Sequence, residues 1–472
     1  MSRTAITPNW RRLALLAVAL AVVALLWARH HCGRAEYERR IAALQAAGEP
    51  VTTDDFAARY PDPPPERQFR RLLRSGLPAG SNPAVAGPIG DVWEVRERVG
   101  ALSNREPFAP ELLEQVRLKL AANAAPVELL LRTDLTDFGV LHQWQTGGWT
   151  NNSEPDGDNT SMRFNLCMAL ALQAAYEAEL RHPQRAATAL VRGYQIARLP
   201  GHVPLVSAVG QLGCERIMLP AVERTLNRAA LTDDDLRFLA EALPRPSDLM
   251  RETMLTERAF MLFGWNDFAL WGGPVVKAPP WWKRNGTTLG HPQMDKIRCL
   301  WRGYGGRLEF LDRWADRVAA TRLPMREQLA AIATSQSKVF QIRASQTNFA
   351  SLVRKCLDVD YSLLLVTEAK LASMFDENAL QLAGLANAQA AVAIERWRLV
   401  HPGQLPDTLA ELVPAYLAAV PLDPFDGQPV RYKKLPVGYV VYCLGLDFTD
   451  NGGREGKQGE HSGFDTTLTV ER

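Results

Sequence analysis

Residues that could carry out chemistry are spread along this chain of 472 residues, and no familiar enzyme motif gathers them. The sequence lacks the HExxH zinc motif, the GxSxG nucleophile turn, the GxxxxGK[ST] phosphate loop and the glycine fingerprint of dinucleotide-binding proteins. Histidines such as His142 and His291 are isolated. A hydrolase acting on glycan or peptide would need the fold to bring two carboxylates together. The acids that could supply such a pair are Glu154, Asp156, Glu252 and Glu257.

Tryptophans are concentrated between residues 262 and 320, where glycines and prolines interrupt the helical pattern. Trp271, Trp281 and Trp282 lie there beside basic residues such as Lys283. Such a group favours two interpretations. It predicts a contact surface for glycan, peptide or membrane, which would line the cleft of an envelope hydrolase or binding protein. Alternatively, the aromatic side chains hold an irregular insertion against the rest of the protein, because large aromatic rings dominate packing.

The segment after His401 carries an ordered series of turn and strand signals. Residues 407–414 predict a short amphipathic turn or helix, and the prolines and glycine of 421–429 predict a chain of tight turns. Two strands are expected at 430–433 and 439–444, with a hairpin loop between them, and 464–470 could supply a third. Between the second and third strands lies an acidic, glycine-rich loop that begins at Gly445.

This order resembles the C-terminal globular domain of the major pseudopilin of type II secretion systems. The shared motifs are Leu-x-x-Leu-Val-Pro-x-Tyr-Leu at 409–417, Pro-x-Asp-Pro-Phe-x-Gly at 421–427 and Gly-Tyr-x-x-Tyr-x-x-Gly-x-Asp at 438–447. The resemblance covers about 400–472 and the helix that ends at Val400. It implies a small α+β domain with a short antiparallel sheet packed on a helix, a link to secretion, and protein partners in the cell envelope. The chain lacks the family's prepilin cleavage motif before its apolar segment, so assembly into a pseudopilus is not expected.

The same resemblance implies a calcium site in the glycine-rich loop. The residues that would provide oxygen ligands are Asp447 and Asp465, with Asp450 and Asn451 as neighbours. Calcium takes six to eight oxygen ligands from carboxylates and carbonyls on irregular loops, so the residue types suit it. The alternative is a loop in which the Asp and Asn side chains only cap backbone groups.

The N-terminus predicts a membrane anchor. Residues 13–27 contain no polar side chain and lie between Arg11-Arg12 and Arg29-His30-His31. As a helix this run would span roughly 24 Å, short for a hydrocarbon core of about 30 Å, although Trp10 and Trp27 could lie at the two interfaces. No small-x-small cleavage site follows, which favours an uncleaved signal anchor. A short leader before a long trailing chain favours export of the bulk of the protein.

Composition restricts the classes of protein further. The formal net charge of +2, from 54 basic and 52 acidic residues, gives no field that favours nucleic acid. The cysteines form no CxxC pair, so neither a zinc ribbon nor a redox dithiol is indicated. One disulfide could form outside the cytoplasm, but its pairing cannot be read from the sequence.

Most of the chain predicts helices. Apolar residues recur at helical spacing in the ranges 112–121, 162–181, 184–199, 206–230 and 233–243, with short breaks that predict antiparallel neighbours. Thr232 is the expected N-cap of the last of these, and Asp233 to Asp235 suit the positive end of its dipole. No repeat period is found, so an irregular bundle or solenoid is expected.

The sequence thus predicts a mainly α protein with an N-terminal transmembrane helix, a large irregular helical body and a small C-terminal α+β domain. The predicted divisions are a leader and anchor at 1–32, a charged helix and connector at 33–92, a body at 93–378 with the tryptophan-rich insertion at 262–320, and the pseudopilin-like domain at 379–472. The expected protein is a single-pass protein of the bacterial inner membrane, with its bulk in the periplasm and a structural or interaction role. No catalytic residue is assigned.

Overall fold

A computed structural model describes residues 10–59, 61–76, 92–139, 160–199, 204–243, 248–270, 304–344, 360–456 and 463–472. The protein is mainly helical, with one three-stranded antiparallel sheet near the C-terminus, as the sequence predicts. The predicted tryptophan contacts Trp271, Trp281 and Trp282 lie outside the described residues, and so do Glu154 and Asp156.

The N-terminal part begins with one long helix. Helix α1 runs from Trp10 to Ala46 without a break, so the apolar segment and the charged segment after it form a single rod. Shorter helices follow, and a 3₁₀ turn at Pro65–Arg67 ends the proline-rich connector. These helices are α2 (Thr53–Arg59), α3 (Phe69–Gly76) and α4 (Val92–Gly100).

The helical body follows the predicted pattern closely. Its helices are α5 (Pro110–Ala122), α6 (Ala124–Arg132), α7 (Thr160–Glu179), α8 (Pro183–Ala197), α9 (Pro204–Arg228) and α10 (Asp233–Ala242). Thr232 caps α10 as expected: its hydroxyl accepts from the Asp235 amide, and the Asp235 carboxylate accepts from the Thr232 amide. Helices α7, α8 and α9 pack on one another. At Gly193 a Cβ atom would lie 2.3 Å from the Met218 side chain, so glycine allows α8 and α9 to approach closely.

Among the described residues, four more helices precede the sheet: α11 (Leu249–Leu270), α12 (Gly305–Ala320), α13 (Met325–Ala344) and α14 (Asp360–Val400). Both described ends of the predicted tryptophan-rich insertion are therefore regular helix, since α11 continues to Leu270 and α12 begins at Gly305. Trp314 in α12 is buried, and its ring lies 5.7 Å from the Phe310 ring of the same helix.

The sheet consists of β1 (Arg431–Lys434), β2 (Tyr439–Cys443) and β3 (Thr466–Val470), in the order β1-β2-β3. Tyr432 pairs with Val441, and Val441 pairs with Leu468, so β2 is the central strand. A 3₁₀ turn at Leu409–Leu412 precedes the sheet at the predicted amphipathic turn. The predicted strands and hairpin are confirmed, each within two residues at either end.

One hydrophobic core joins the body to the sheet. It contains Leu170 of α7, Leu226 of α9, Ile394 of α14 and Leu468 of β3. Helix α14 contacts α9, α10, β2 and β3 along its length. The C-terminal segment is therefore packed as a part of the body, and α14 supports both.

Candidate functional site

Asp423 organises the turn that precedes the sheet. Its side chain is fully buried; Oδ1 accepts from the Phe425 amide at 2.8 Å, and Oδ2 accepts from the Leu444 amide at 2.8 Å. The Arg431 guanidinium also donates to Oδ2 at 2.6 Å. Burial raises the pKa of Asp423, while the two amide hydrogen bonds act in the opposite direction. The carboxylate therefore holds the turn, the first strand and the start of the glycine-rich loop together.

The glycine-rich loop brings three of the four predicted ligand residues together. Asp465 accepts from the amides of Asn451 at 3.2 Å and Gly453 at 2.7 Å. Asp447 accepts from the Gly463 amide at 3.1 Å, and the Asn451 side-chain amide lies 3.4 Å from its Oδ2. Asn451 thus bridges the two aspartates from opposite ends of the loop.

The Asp450 side chain, the fourth predicted ligand, faces Arg431. Its Oδ2 accepts from Nε of Arg431 at 3.1 Å, and its Oδ1 accepts from the Gly452 amide at 2.8 Å. A guanidinium at this distance disfavours a second cation on the same carboxylate. Within the part of the chain that the structure describes, no group of three or more His, Cys, Asp or Glu side chains is arranged to hold a metal ion. A calcium ion would therefore depend on Asp447, Asp465 and neighbouring amide and carbonyl oxygens.

Glu395 of α14 fastens the sheet to the body. Its side chain is only 2% exposed. The Tyr439 hydroxyl donates to Oε1 at 2.9 Å, Arg398 donates to the same oxygen at 2.9 Å, and Arg472 donates to Oε2. The carboxylate is buried because Tyr439 and Arg472, from far along the chain, cover this face of the helix.

Helix α1 changes its surroundings along its length. Seven large apolar side chains between Leu15 and Trp27 are 60–70% exposed, whereas Tyr37 is 7% exposed and packs against α12. The seven are Leu15, Leu16, Val18, Leu20, Val23, Leu25 and Trp27. By length and composition, one described helix is apolar enough to cross a membrane, the segment Leu205–Arg228, and half of its apolar window is buried in the protein. The shorter apolar stretch Ala14–Leu25 lies in α1.

The acids expected for a hydrolase have individual partners where they are described. Glu252 forms a two-pronged ion pair with Arg59, in which the second hydrogen bond is 2.6 Å long. Glu257 is buried, and its Oε2 accepts from the Leu205 amide at 3.1 Å at the start of α9. These contacts explain both side chains as structural and give no support to a catalytic pair between them.

One feature of the site was not found from the sequence. Asp423 was assigned only to a turn, although an aspartate two residues before the amide that it accepts from is a typical Asx turn. Its contacts with Arg431 and Leu444 depend on the fold of the sheet.

Comparisons with protein-family profiles, with curated proteins and with solved structures found no match to this chain. The resemblance of the C-terminal segment to a pseudopilin domain is therefore carried by its motifs alone. The distances and hydrogen bonds described above belong to this chain and do not depend on the resemblance.

Proposed function

We propose that this protein is a single-pass protein of the bacterial inner membrane, anchored by the first half of α1, with its bulk in the periplasm and a structural or interaction role in the cell envelope. The observation that carries this proposal is the change of surroundings along α1. A group of exposed large apolar side chains on one helix is costly in water and is stabilised by about 25 cal/mol per Å² when it leaves water. A hydrocarbon environment would supply that burial.

The second half of α1 is docked on the body. A Cβ atom on Gly33 would lie 3.0 Å from Cβ of Tyr304, so the backbone of α1 comes close to the start of α12. The Tyr37 and Tyr304 rings lie 5.4 Å apart, and the Arg307 guanidinium lies over both rings. Gly33 follows Trp27 by only six positions, which is about 9 Å of helix. The body would therefore sit close to the membrane surface on a rigid support.

The interaction role rests on the resemblance to the pseudopilin domain, which also suggests the link to secretion. In this segment Leu422 and Val437 are each 59% exposed, one in the turn before the sheet and one at the hairpin tip. The two residues lie at opposite ends of β1, because Leu422 pairs with Pro429 before the strand and Val437 follows the strand. An apolar side chain at the hairpin tip would be removed from water by contact with a partner. We therefore expect partners in the envelope to contact the hairpin tip.

Calcium in the glycine-rich loop is part of the same proposal. The observation that supports it is that Asp447 and Asp465 both lie beside Asn451, which brings two carboxylates to one part of the loop. The ion would join the two ends of the loop that connects β2 to β3. It would act on the stability of this end of the sheet and would take no part in a reaction.

The anchor is tested by alkaline carbonate extraction of isolated membranes. The full chain is expected to remain in the membrane pellet. A variant that lacks residues 1–28 keeps the docked half of α1 and is expected in the soluble fraction as a folded protein. Extraction of the full chain by carbonate would contradict the proposal.

The interaction surface is tested by a photo-crosslinking amino acid in cells. Placed at Val437, it is expected to give a discrete crosslinked product. Leu118, which is 53% exposed on α5, is the matched control and is expected to give none. Equal crosslinking at both positions would show that the hairpin tip has no special role.

A further inference from the structure

The sheet has two edges, and helix α9 covers one of them. Glu223 and Asn227, one turn apart on α9, take the place of a neighbouring strand beside β3. Glu223 accepts from the Thr469 amide at 3.1 Å, and Asn227 donates to the Thr469 carbonyl at 2.8 Å. Asn227 also accepts from the Glu471 amide at 2.9 Å. The main-chain groups of Thr469 and Glu471 on this edge are therefore paired within the protein.

The other edge is formed by β1, and the register of the hairpin defines the groups that face outward. In an antiparallel pair, residues that are hydrogen-bonded to the partner strand alternate with residues whose main-chain groups point away from it. The Leu435 amide donates to the Gly438 carbonyl at 2.9 Å, so this pair is hydrogen-bonded. Counting back along β1, Lys434 and Tyr432 are the residues whose amides and carbonyls point away from β2.

These outward groups of β1 are open. Just before the strand, the Val430 amide donates to the Pro421 carbonyl at 2.9 Å, so the preceding turn covers the edge there. Further along, no described residue forms a hydrogen bond with the main-chain amide or carbonyl of Tyr432 or Lys434. The turn at 405–407 contacts these two residues only through their side chains. An open strand edge of this kind is a template for pairing with another strand.

The charges along β1 restrict which strand fits. Arg431 is paired with acids of the preceding turn, and Lys434 is paired with Asp407 at 2.6 Å. Lys433 lies between them, is exposed, and forms no ion pair with a residue in the described part of the chain. In the antiparallel register that would engage both Tyr432 and Lys434 of two copies, Lys433 would lie directly opposite Lys433 of the second copy. Like charges in that position are destabilising, so self-pairing is disfavoured.

We propose that β1 binds an extended, acidic segment of another envelope protein, which adds to the sheet as a fourth strand beside Tyr432 and Lys434. The inference rests on the proposed interaction role and names how the partner binds. Main-chain hydrogen bonds to the outward groups would supply affinity. An acidic side chain opposite Lys433 would favour this partner over a second copy. Val437 lies three residues beyond Lys434, so the same segment would pass the exposed hairpin tip.

Photo-crosslinking from Val437 in cells tests the added strand. The full chain carries the crosslinking amino acid at Val437 together with Lys434→Pro or Lys434→Ala. Proline removes the outward amide and is tolerated where that amide faces solvent on an edge strand, whereas alanine removes only the side chain. The crosslinked product is expected to be lost in Lys434→Pro and retained in Lys434→Ala. Equal amounts of product in the two variants would overturn strand addition.

Charge reversal tests the acidic partner without a change in the backbone. Lys433→Glu keeps every main-chain group of β1 and is expected to lose the product, whereas Lys433→Arg is the matched control and is expected to keep it. Urea unfolding shows whether each variant is folded, and Lys433→Glu decides the outcome if Lys434→Pro is not. Full product in Lys433→Glu, or a product with the mass of two copies, would overturn an acidic partner segment.

Failure of the proposed interaction role has a different result. If the chain without a second substitution gives no product from Val437, the contact at the hairpin tip and the added strand are both overturned. If the product forms and persists in both Lys434→Pro and Lys433→Glu, the partner contacts the tip alone. In that case only the strand addition is overturned.

Discussion

The Tyr439 hydroxyl donates a 2.9 Å hydrogen bond to Oε1 of Glu395, which fastens the central strand of the sheet to helix α14 inside the protein. Burial is the largest cause that raises the pKa of Tyr439 well above its ordinary value, and the nearby Glu395 carboxylate adds to it. The tyrosine therefore remains a donor throughout the ordinary pH range. The contact explains how a small sheet is held in register with a long helix.

Tyr439→Phe tests this contact. The substitution removes one buried hydrogen bond to a charged group and is expected to lower the free energy of unfolding by about 1.5–3 kcal/mol. Tyr432→Phe is the control, because the Tyr432 hydroxyl donates to the neutral Pro406 carbonyl at 3.0 Å in a half-buried position. The control is expected to cost about 0.5–1.5 kcal/mol. Urea unfolding measures both, and equal costs would show that the Glu395 contact has no special weight.

Asp423→Ala is expected to be more damaging than either tyrosine variant. It removes the acceptor of two buried amides and leaves the Arg431 guanidinium without one of its partners. Breaking a buried ion pair by removing one partner costs about 3–5 kcal/mol. Asp426→Ala is the control, because Asp426 pairs with Arg431 at 2.6 Å in a more exposed position. Denaturant unfolding in which both variants lost the same stability would contradict the organising role of Asp423.

The stability of the protein is expected to depend on pH through the buried carboxyl of Glu257. Burial raises its pKa from 4.5 to about 7, so the folded protein binds this proton more tightly than the unfolded chain does. Its contribution to stability is complete below about pH 4.5 and is lost as the pH rises through about 7, with an upper limit of about 3 kcal/mol. Glu257→Gln keeps an acceptor for the Leu205 amide and does not titrate.

The variant is therefore expected to be more stable than the wild type at about pH 8 and to lose less stability between about pH 5 and pH 8. Urea unfolding at the two pH values measures this. Glu223 is a second buried carboxyl with a pKa of about 7, so the variant is expected to retain part of the slope. An unchanged slope in Glu257→Gln would contradict the assignment.

The elements of this fold that could be predicted are those with local signals in the sequence. The bounds of α7 to α10 follow from helical periodicity and from start signals. Thr232 is the N-cap of α10, and Pro183 is the first residue of α8. The strands and their hairpin follow from β-branched and aromatic runs next to turn residues. Each of these signals needs only neighbouring residues, so the sequence contains it.

The contacts that complete the site are long-range and could not be predicted in this way. The Tyr439 hydroxyl donates to Glu395, and the turns and the first strand lie between these two residues in the sequence. Asn227 of α9 donates to the Thr469 carbonyl of β3 at 2.8 Å, although the two residues are distant in the sequence. The loop residues Asp447, Asn451 and Asp465 were identified by resemblance. The pairing of Asp450 with Arg431 became visible only in the folded sheet.

Asp450 provides a matched control for a test of calcium binding. Asp447→Asn is expected to abolish calcium binding, whereas Asp450→Asn is expected to leave it largely unchanged, because Asp450 already faces Arg431. Isothermal titration with calcium measures the affinity, and saturating calcium should raise Tm only in the proteins that bind it. No heat in the wild type would end the proposal of a calcium site. Equal loss in the two variants would contradict the assignment of ligands.

The most direct test of the central claim is the labelling of Cys32 from outside a sealed inner membrane. Cys32 is exposed and follows the apolar half of α1 by five residues. In a background of Cys299→Ala and Cys356→Ala, a membrane-impermeant maleimide is expected to label it in intact spheroplasts. In the same background with Cys32→Ala, a Ser2→Cys variant is expected to be labelled only after the membrane is opened. Labelling of Cys32 only in opened spheroplasts would contradict an anchored protein with its bulk in the periplasm.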